Sequence, residues 1–397
     1  TFSSAWSFRT TYTADSINPS YNKLNVPLTS EVKAYFHQNV SSATIDSNSV
    51  TLFGSFTGKK RAAINFNPVN NSVQLIPSSN FKYGEIITTV LDSGIKTASG
   101  SSIPPFVWNF TTSSSVSDFI LNQSSTSSTQ GISYPYRIAT GDFDCDGDLD
   151  MVVIHDGSNG YVNLFRNNGF GSFSSYNTLF LGGNIYGMTT GDVDNDGDID
   201  LIYTNNYTKS VGIYTNNGSG YFSLYSSLSL GINPFGVDAG DMDGDGDLDL
   251  AVALFAGSSV ATLKNNGTGV YSLFNTLSVG GTPYKIRIDD YDNNGILDVA
   301  VTISSGTVSI YRNNGSGVLS LWSSVSAGNE SGELVSADFD GDSDIDIAVT
   351  SNPGGTLKVL NNNGSGVFTV TSTLSISHPV GIGVSDLDGD GDIDLSV

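Results

Sequence analysis

The segment GDFDCDGDLD, residues 141–150, decides the architecture, because the chain writes it six times. It returns as GDVDNDGDID at 191–200, GDMDGDGDLD at 240–249, DDYDNNGILD at 289–298, ADFDGDSDID at 337–346 and SDLDGDGDID at 385–394. The first loop aspartates, Asp142, Asp192, Asp241, Asp290, Asp338 and Asp386, are spaced by 50, 49, 49, 48 and 48 residues. So constant a period implies one structural unit per repeat.

Working outward from each loop, the order is fixed. A short apolar run follows: Met151 to Ile154, Leu201 to Thr204, Leu250 to Ala253, Val299 to Thr302, Ile347 to Thr350 and Leu395 to Val397. Length and branching make these buried strands. Next come runs that alternate with period two, beginning at Val162, Val211, Val260, Val308 and Leu357, which predict strands with one wetter face. Asn-Asn-Gly-Ser/Thr-Gly then supplies residues that tolerate positive φ, as a tight hairpin requires, and an aromatic-led strand closes the unit. Four strands at this period are the signature of a propeller blade, whereas a β-solenoid needs a much shorter repeat. The expected fold is all-β, with a propeller of six or seven four-stranded blades over residues 118–397.

Val397 lies inside the strand after the sixth loop, so the ring is expected to be incomplete at this end unless another segment, such as Asp118 to Gln123, supplies an outer strand. Upstream, residues 12–112 read as a separate β-domain with longer strands and no aspartate loops, joined through a Ser-rich linker at 113–117. Its closing signature, Trp108-Asn-Phe110-Thr-Thr, has a counterpart in Trp6-Ser-Phe8-Arg-Thr-Thr. Residues 1–11 are therefore expected to be the last strand of a preceding copy, or a strand lent to a neighbour.

Charge is divided as sharply as the repeats. Through Ser113 there are eight basic and five acidic residues, while the remainder holds eight basic and 34 acidic, a formal −26. Of those 34, the six loops carry 28. Phosphate binding needs the opposite sign, so nucleic acid is excluded as a partner and cations are the natural one. Cys145 is the single cysteine, which forbids an intrachain disulfide. No apolar run is long enough to cross a bilayer as a helix.

In the first loop, carboxylates alternate with other residues, a Gly permits the turn, and another Asp closes it. That spacing brings four carboxylates and one backbone carbonyl around a point, which suits a hard cation needing six to eight oxygens, and calcium better than magnesium. An EF-hand starts the same way but needs Glu at position twelve, where this chain has Val153, Tyr203, Val252, Val301, Val349 and Val397.

These six loops resemble the FG-GAP/VCBS repeats, including the calcium-loop propellers of integrin α subunits. The resemblance implies side-chain ligands at loop positions one, three, five and nine and a carbonyl at seven. It therefore points to Asp142, Asp144, Asp146 and Asp150 with the carbonyl of Asp148, and to Asp192, Asp194, Asp196 and Asp200 with that of Asp198. The third loop matches at Asp241, Asp243, Asp245, Asp247 and Asp249, the fifth at Asp338, Asp340, Asp342, Asp344 and Asp346, and the sixth at Asp386, Asp388, Asp390, Asp392 and Asp394. The fourth departs, offering Asp290, Asp292, Asn294, Ile296 and Asp298, and with one fewer negative ligand it is expected to be the weakest. Ser343 replaces the turn Gly of the fifth. The upstream domain resembles bacterial Ig-like domains of surface-layer and exported proteins, in Leu24-Asn-Val-Pro27, Val73-Gln-Leu-Ile-Pro77 and Trp108-Asn-Phe110-Thr-Thr.

The implied protein is extracellular, secreted or on a bacterial cell surface, holding up to six Ca2+ as structural staples rather than as a switch. Extracellular modules bind calcium at about 10⁻⁴ to 10⁻³ M, so at millimolar calcium each site stabilises by about 1 kcal/mol. His37, His155 and His378 lack visible partners for catalysis or zinc, and Cys145 occupies a loop slot that is not a ligand. With nearly every Asp of the repeats claimed by metal geometry, no acid/base pair is left over, and the chain is read as non-catalytic. Its expected role is adhesion to a protein or glycan ligand, with the Ig-like domain as spacer. The alternatives are a subunit of an extracellular filament or surface layer that joins like subunits by strand exchange, and a polysaccharide-acting enzyme. Tyr134, Tyr136, Tyr186, Phe235, Tyr284 and Trp322 are candidates for a binding platform, although blade packing accounts for most of them.

Overall fold

The alternation of Val32, Ala34 and Phe36 with half-buried neighbours shows how the upstream strands are laid down: one face inward, the other toward water. A computed structural model describes residues 14–113, 135–385 and 393–397, except 21–22, 48, 55–57, 83–84, 93, 104–105, 147, 156–159, 169–171, 329–330, 343 and 353. The described residues fall into two units, one ending at Ser113 and the other reaching Val397. The expected strand over 1–11, most of the linker and the segment Asp118 to Gln123 lie outside them.

In the upstream unit, two sheets enclose one core. The first has the order Ala14–Asn18, Val32–Phe36, Ser72–Pro77, Ala62–Asn67. The second runs Lys23–Val26, Phe106–Thr112, Ile86–Leu91, Val50–Gly54, Gly58–Lys60, its first pair parallel. Trp108, Phe110, Leu52, Leu75 and Ile87 fill the space between, with Phe81 edge-on to Phe110 at 5.7 Å. Lys60 and Glu85 enter as a buried pair 3.3 Å apart, so neither charge is left uncompensated.

Downstream, each repeat makes one antiparallel four-stranded sheet whose strands pair in chain order. Sheet 1 is Pro135–Gly141, Asp150–His155, Tyr161–Asn167 and Phe173–Phe180; sheet 2 is Ile185–Gly191, Asp200–Asn205, Ser210–Thr215 and Ser223–Ser229. Sheet 3 is Pro234–Gly240, Asp249–Leu254, Ser259–Lys264 and Ser272–Ser278; sheet 4 is Pro283–Asp289, Asp298–Ile303, Thr307–Asn313 and Leu319–Ser326. Sheet 5 is Ser331–Ala337, Asp346–Ser351, Thr356–Asn361 and Thr369–Ser375, and Gly383–Ser385 pairs with Asp394–Ser396 beyond it. The apolar runs are the second strands, buried at every position in sheets 2 to 5.

The third strands of sheets 1 to 4 correct the expectation of one wetter face, while in sheet 5 Lys358 and Val359 stay half-buried between Leu357 and Leu360. Val162 to Phe165 are all buried, as are Ser210 to Ile213 and Ser259 to Leu263. Both faces are covered because neighbouring sheets pack face to face; Val211 and Ile213 share a cluster with Val237, Leu250 and Val252 of the next sheet. The alternation in sequence is one of size rather than of wetness. At Gly212, for example, a Cβ would lie 2.4 Å from the ring of Tyr203.

Fourth strands form the outer edges. Leu224, Leu273 and Leu321 occupy corresponding places on three of them, all more than half exposed, and none of the five edge strands contains a charged residue. First strands lie innermost, where Arg137 of sheet 1 reaches Glu333 of sheet 5 at 2.6 Å and Lys285 of sheet 4 meets the same carboxylate at 3.2 Å. Among the described residues there is no helix long and apolar enough to cross a membrane.

Candidate metal centre

Each aspartate loop connects a first strand to a second, so the two strands fix its ends. Position nine opens the second strand, and in loops one, two, three and five its carboxylate is tied to backbone on both oxygens, whereas Asp298 of the fourth loop is tied through Oδ1 alone. Asp200 Oδ1 accepts from Asn216 N at 2.8 Å and Oδ2 from Val193 N at 3.0 Å; Asp249 repeats this with Asn265 N and Met242 N. Position one gathers the N–H groups of the turn. Asp241 accepts from Gly244 N at 2.7 Å and Gly246 N at 3.0 Å, and Asp290 from Asn294 N and Gly295 N.

Position five is an Asx-turn. The side chains of Asp146, Asp196, Asp245 and Asp342 each accept the N–H of position seven at 2.9 to 3.0 Å. Asn294 does the same for Ile296 N at 2.8 Å, so the fourth loop keeps its shape and loses only a charge. Position four takes the left-handed conformation in all five described loops, at Cys145, Asn195, Gly244, Asn293 and Gly341. Position two is an apolar anchor: Phe143, Val193, Met242 and Tyr291 are essentially inaccessible.

Carboxylate oxygens converge within 4.8 Å of one another in all five loops: Asp142, Asp144 and Asp146; Asp192, Asp194 and Asp200; Asp241, Asp243 and Asp245; Asp290, Asp292 and Asp298; Asp338, Asp340 and Asp346. The structure thus gathers three carboxylates per loop. Position-seven side chains point elsewhere. Asp247 Oδ1 accepts from Asn195 of the preceding loop at 2.8 Å, and Asp344 from Asn293 likewise. In the sixth loop Asp386, Asp388, Asp390 and Asp392 lie outside the described residues, while Asp394 begins the second strand as its counterparts do.

A cation suits this donor set. Asp144 Oδ1, Asp192 Oδ1, Asp194 Oδ1, Asp292 Oδ1 and Asp298 Oδ2 are buried with no hydrogen-bond donor, and such orphaned oxygens are costly unless a positive charge meets them. Burial first, then neighbouring carboxylates, push Asp192 and Asp241 up to about 6, Asp249 and Asp298 to about 7 and Asp200 to about 8, against backbone N–H groups that pull down. An all-oxygen, multiply anionic set of this kind is the chemistry of Ca2+. Cys145 stays outside it: burial and the surrounding aspartates push its thiol up to about 12, far from a nucleophile.

Sequence reasoning assigned the Asn-Asn-Gly segment to its turn alone, and here the structure adds a role. Asn265 Nδ2 donates to Leu248 O of its own loop at 3.2 Å and to Val193 O of the preceding loop at 2.8 Å. Asn216, Asn313 and Asn362 make the same two bonds, so each of the first four loops is clasped by the following sheet as well as by its own. The signal was present in the repeat: position nine and the first Asn stand 15 to 16 residues apart in sheets 2 to 5. Of the aromatic candidates, Tyr186, Phe235 and Tyr284 cluster with Phe255, Tyr186 stacking on Phe235 at 4.8 Å. Trp322 lies apart from them, under Arg312.

Comparison with known proteins follows the same division. No curated protein sequence matches the chain. Among solved structures, a functionally unknown protein from Desulfotomaculum acetoxidans is 15% identical over 62% of this chain and 71% of its own, with a TM-score of 0.46. The periplasmic gluconolactonase PpgL of Pseudomonas aeruginosa is 13% identical over 88% and 99%, with a TM-score of 0.46. The biofilm matrix protein Bap1 of V. cholerae is 17% identical over 64% of this chain and 41% of that one, with a TM-score of 0.42. The profile of the bacterial Ig-like domain matches residues 6–112, and that of the FG-GAP-like repeat matches 142–203, 192–252, 290–349 and 338–397. The chain belongs to the FG-GAP-like repeat family and carries a bacterial Ig-like domain ahead of its repeats.

Proposed function

We propose that the repeats form a calcium-stabilised β-propeller on a secreted or cell-surface protein, which serves as a rigid, non-catalytic platform for adhesion to a protein or glycan. The observation that carries this reading is the recurrence, in five loops, of three carboxylates within 4.8 Å of one another. The ion pair from Arg137 of sheet 1 to Glu333 of sheet 5 supports an arrangement of sheets around an axis, with six or seven blades in the closed ring. The first four loops are tied to their strands and to the next sheet, so an ion there stiffens the scaffold rather than presenting a labile site. The Ig-like domain acts as a spacer, a role in keeping with its single apolar core.

The test is calorimetry of the whole chain with and without calcium. Two transitions are expected, and removing calcium lowers the one belonging to the repeats by more than ten degrees while leaving the Ig-like one in place; several sites of about 1 kcal/mol each would have that effect. Unchanged melting in excess chelator would defeat the calcium reading.

A second reading, a subunit of a filament or surface layer, is favoured by the edge strands. Uncharged, exposed edges such as Ser223–Ser229 and Thr369–Ser375 have free backbone groups to offer an added strand, and no Lys or Pro guards them. Concentration-dependent mass in calcium, measured by light scattering, separates the two readings.

A further inference from the structure

In three of the five described loops, the position-three aspartate is not alone with its loop. Arg166 Nε lies 3.0 Å from Asp144 Oδ2, Lys264 Nζ 2.5 Å from Asp243 Oδ2, and an Arg312 guanidinium nitrogen 2.5 Å from Asp292 Oδ2. Each base comes from the same place, the residue before the clasping asparagine or its equivalent at the end of the third strand. Each also stacks on an aromatic ring of the fourth strand: Arg166 over Tyr176 at 4.5 Å, Lys264 over Phe274 at 4.2 Å, Arg312 over Trp322 at 5.0 Å. Ring and carboxylate together fix the charge beside the loop. In sheets 2 and 5 this position holds Thr215 and Asn361, and Asn361 meets Asp340 Oδ2 through a neutral amide.

The geometry points to Arg166, Lys264 and Arg312 as built-in counter-ions that divide the loops into two classes toward calcium. This rests on the calcium reading above. Where the base is present, one carboxylate oxygen is already committed to a positive charge, while Oδ1 of Asp144 and of Asp292 stays buried and without a donor, open to a metal. The base therefore does two opposite things. It relieves the crowding of like charges in the empty loop, and it repels a divalent ion that shares the carboxylate. Both effects favour the empty state, so by linkage affinity falls. At the partial exposure of these bases, screening leaves a difference of about tenfold per site. Loops two and five, without a base, are the tight class; loops one, three and four are the weak one, and the fourth is weakened further by Asn294. The same bases make sheets 1, 3 and 4 the less dependent on metal.

Two substitutions in the full chain test this, with calcium alone as the probe. Lys264→Met keeps an apolar stem over Phe274 and removes the charge. It should move one site from the weak to the tight class in a calorimetric titration, a gain of about tenfold, and lower the melting temperature in chelator. Thr215→Lys should do the reverse, weakening one tight site and raising the melting temperature in chelator. Titration curves unchanged by both substitutions, or a Lys264→Met protein that binds calcium more weakly, would overturn the assignment while leaving calcium binding intact. A wild-type chain that takes up no calcium at millimolar concentration would sink the calcium reading itself, and this assignment with it.

Discussion

Asn265 shows how much a single side chain carries in this protein. Its amide donates to Leu248 O and Val193 O, and its oxygen accepts from Asn266 N at 2.8 Å and Gly269 N at 3.0 Å. Removing it takes the amide donor from Val193 O and leaves two N–H groups without their acceptor, while Leu248 O keeps the Tyr271 hydroxyl at 2.7 Å, so Asn265→Ala should cost about 2 kcal/mol, read as a lower midpoint in urea denaturation. Asn266→Ala, next along the chain and exposed, should cost under about 1 kcal/mol. The aspartates were legible in the sequence because a loop's ligands are neighbours along the chain. The clasp was not, because its acceptor lies 72 residues upstream and only packing of successive sheets brings it near.

Among the elements, the Asn-Asn-Gly-Ser/Thr-Gly hairpin was correctly read as needing positive φ, and Gly366 at +67° agrees. Its second glycine answers a further demand that sequence could not reveal. A Cβ on Gly366 would sit 2.2 Å from the Trp322 ring of the preceding sheet, whereas one on Gly231, at +71°, meets nothing within 4 Å. Gly231→Ala should therefore cost only the backbone term, about 1 kcal/mol, and Gly366→Ala at least 2 kcal/mol more; paired denaturation curves would show the gap. The third strands of sheets 1 to 4 were misjudged for a related reason. Alternation of large and small residues looks like alternation of dry and wet when the neighbouring sheet is out of view, and Asn163, with no exposed surface, is polar yet inside.

At the scale of the molecule, charge and fold are one problem. Burial holds seven loop carboxylates at about 6 to 8, above the usual carboxylate range: Asp150, Asp192, Asp200, Asp241, Asp249, Asp298 and Asp346. A carboxyl raised in the folded state binds its proton more tightly there than in the unfolded chain. The stability this gives is complete below about pH 4 and disappears as pH rises through 6 to 8. Metal-stripped protein should thus melt higher at pH 5 than at pH 8. With saturating calcium the order should reverse, since protons then compete with the ion for the same oxygens; melting curves at both pH values, with and without calcium, check the crossing. The two-part division, the repeat period and the acidic second part were all legible in the sequence, because each is a property of spacing or composition. How one sheet grips the next was not.

That grip has a direction. The asparagine that closes a loop is supplied 71 to 73 residues after the carbonyl it binds, always by the later sheet. As the polypeptide leaves the ribosome, each freshly made loop waits for the following repeat before it is latched. A chain truncated after any repeat should therefore keep its last loop unlatched, and limited proteolysis should cut that loop first.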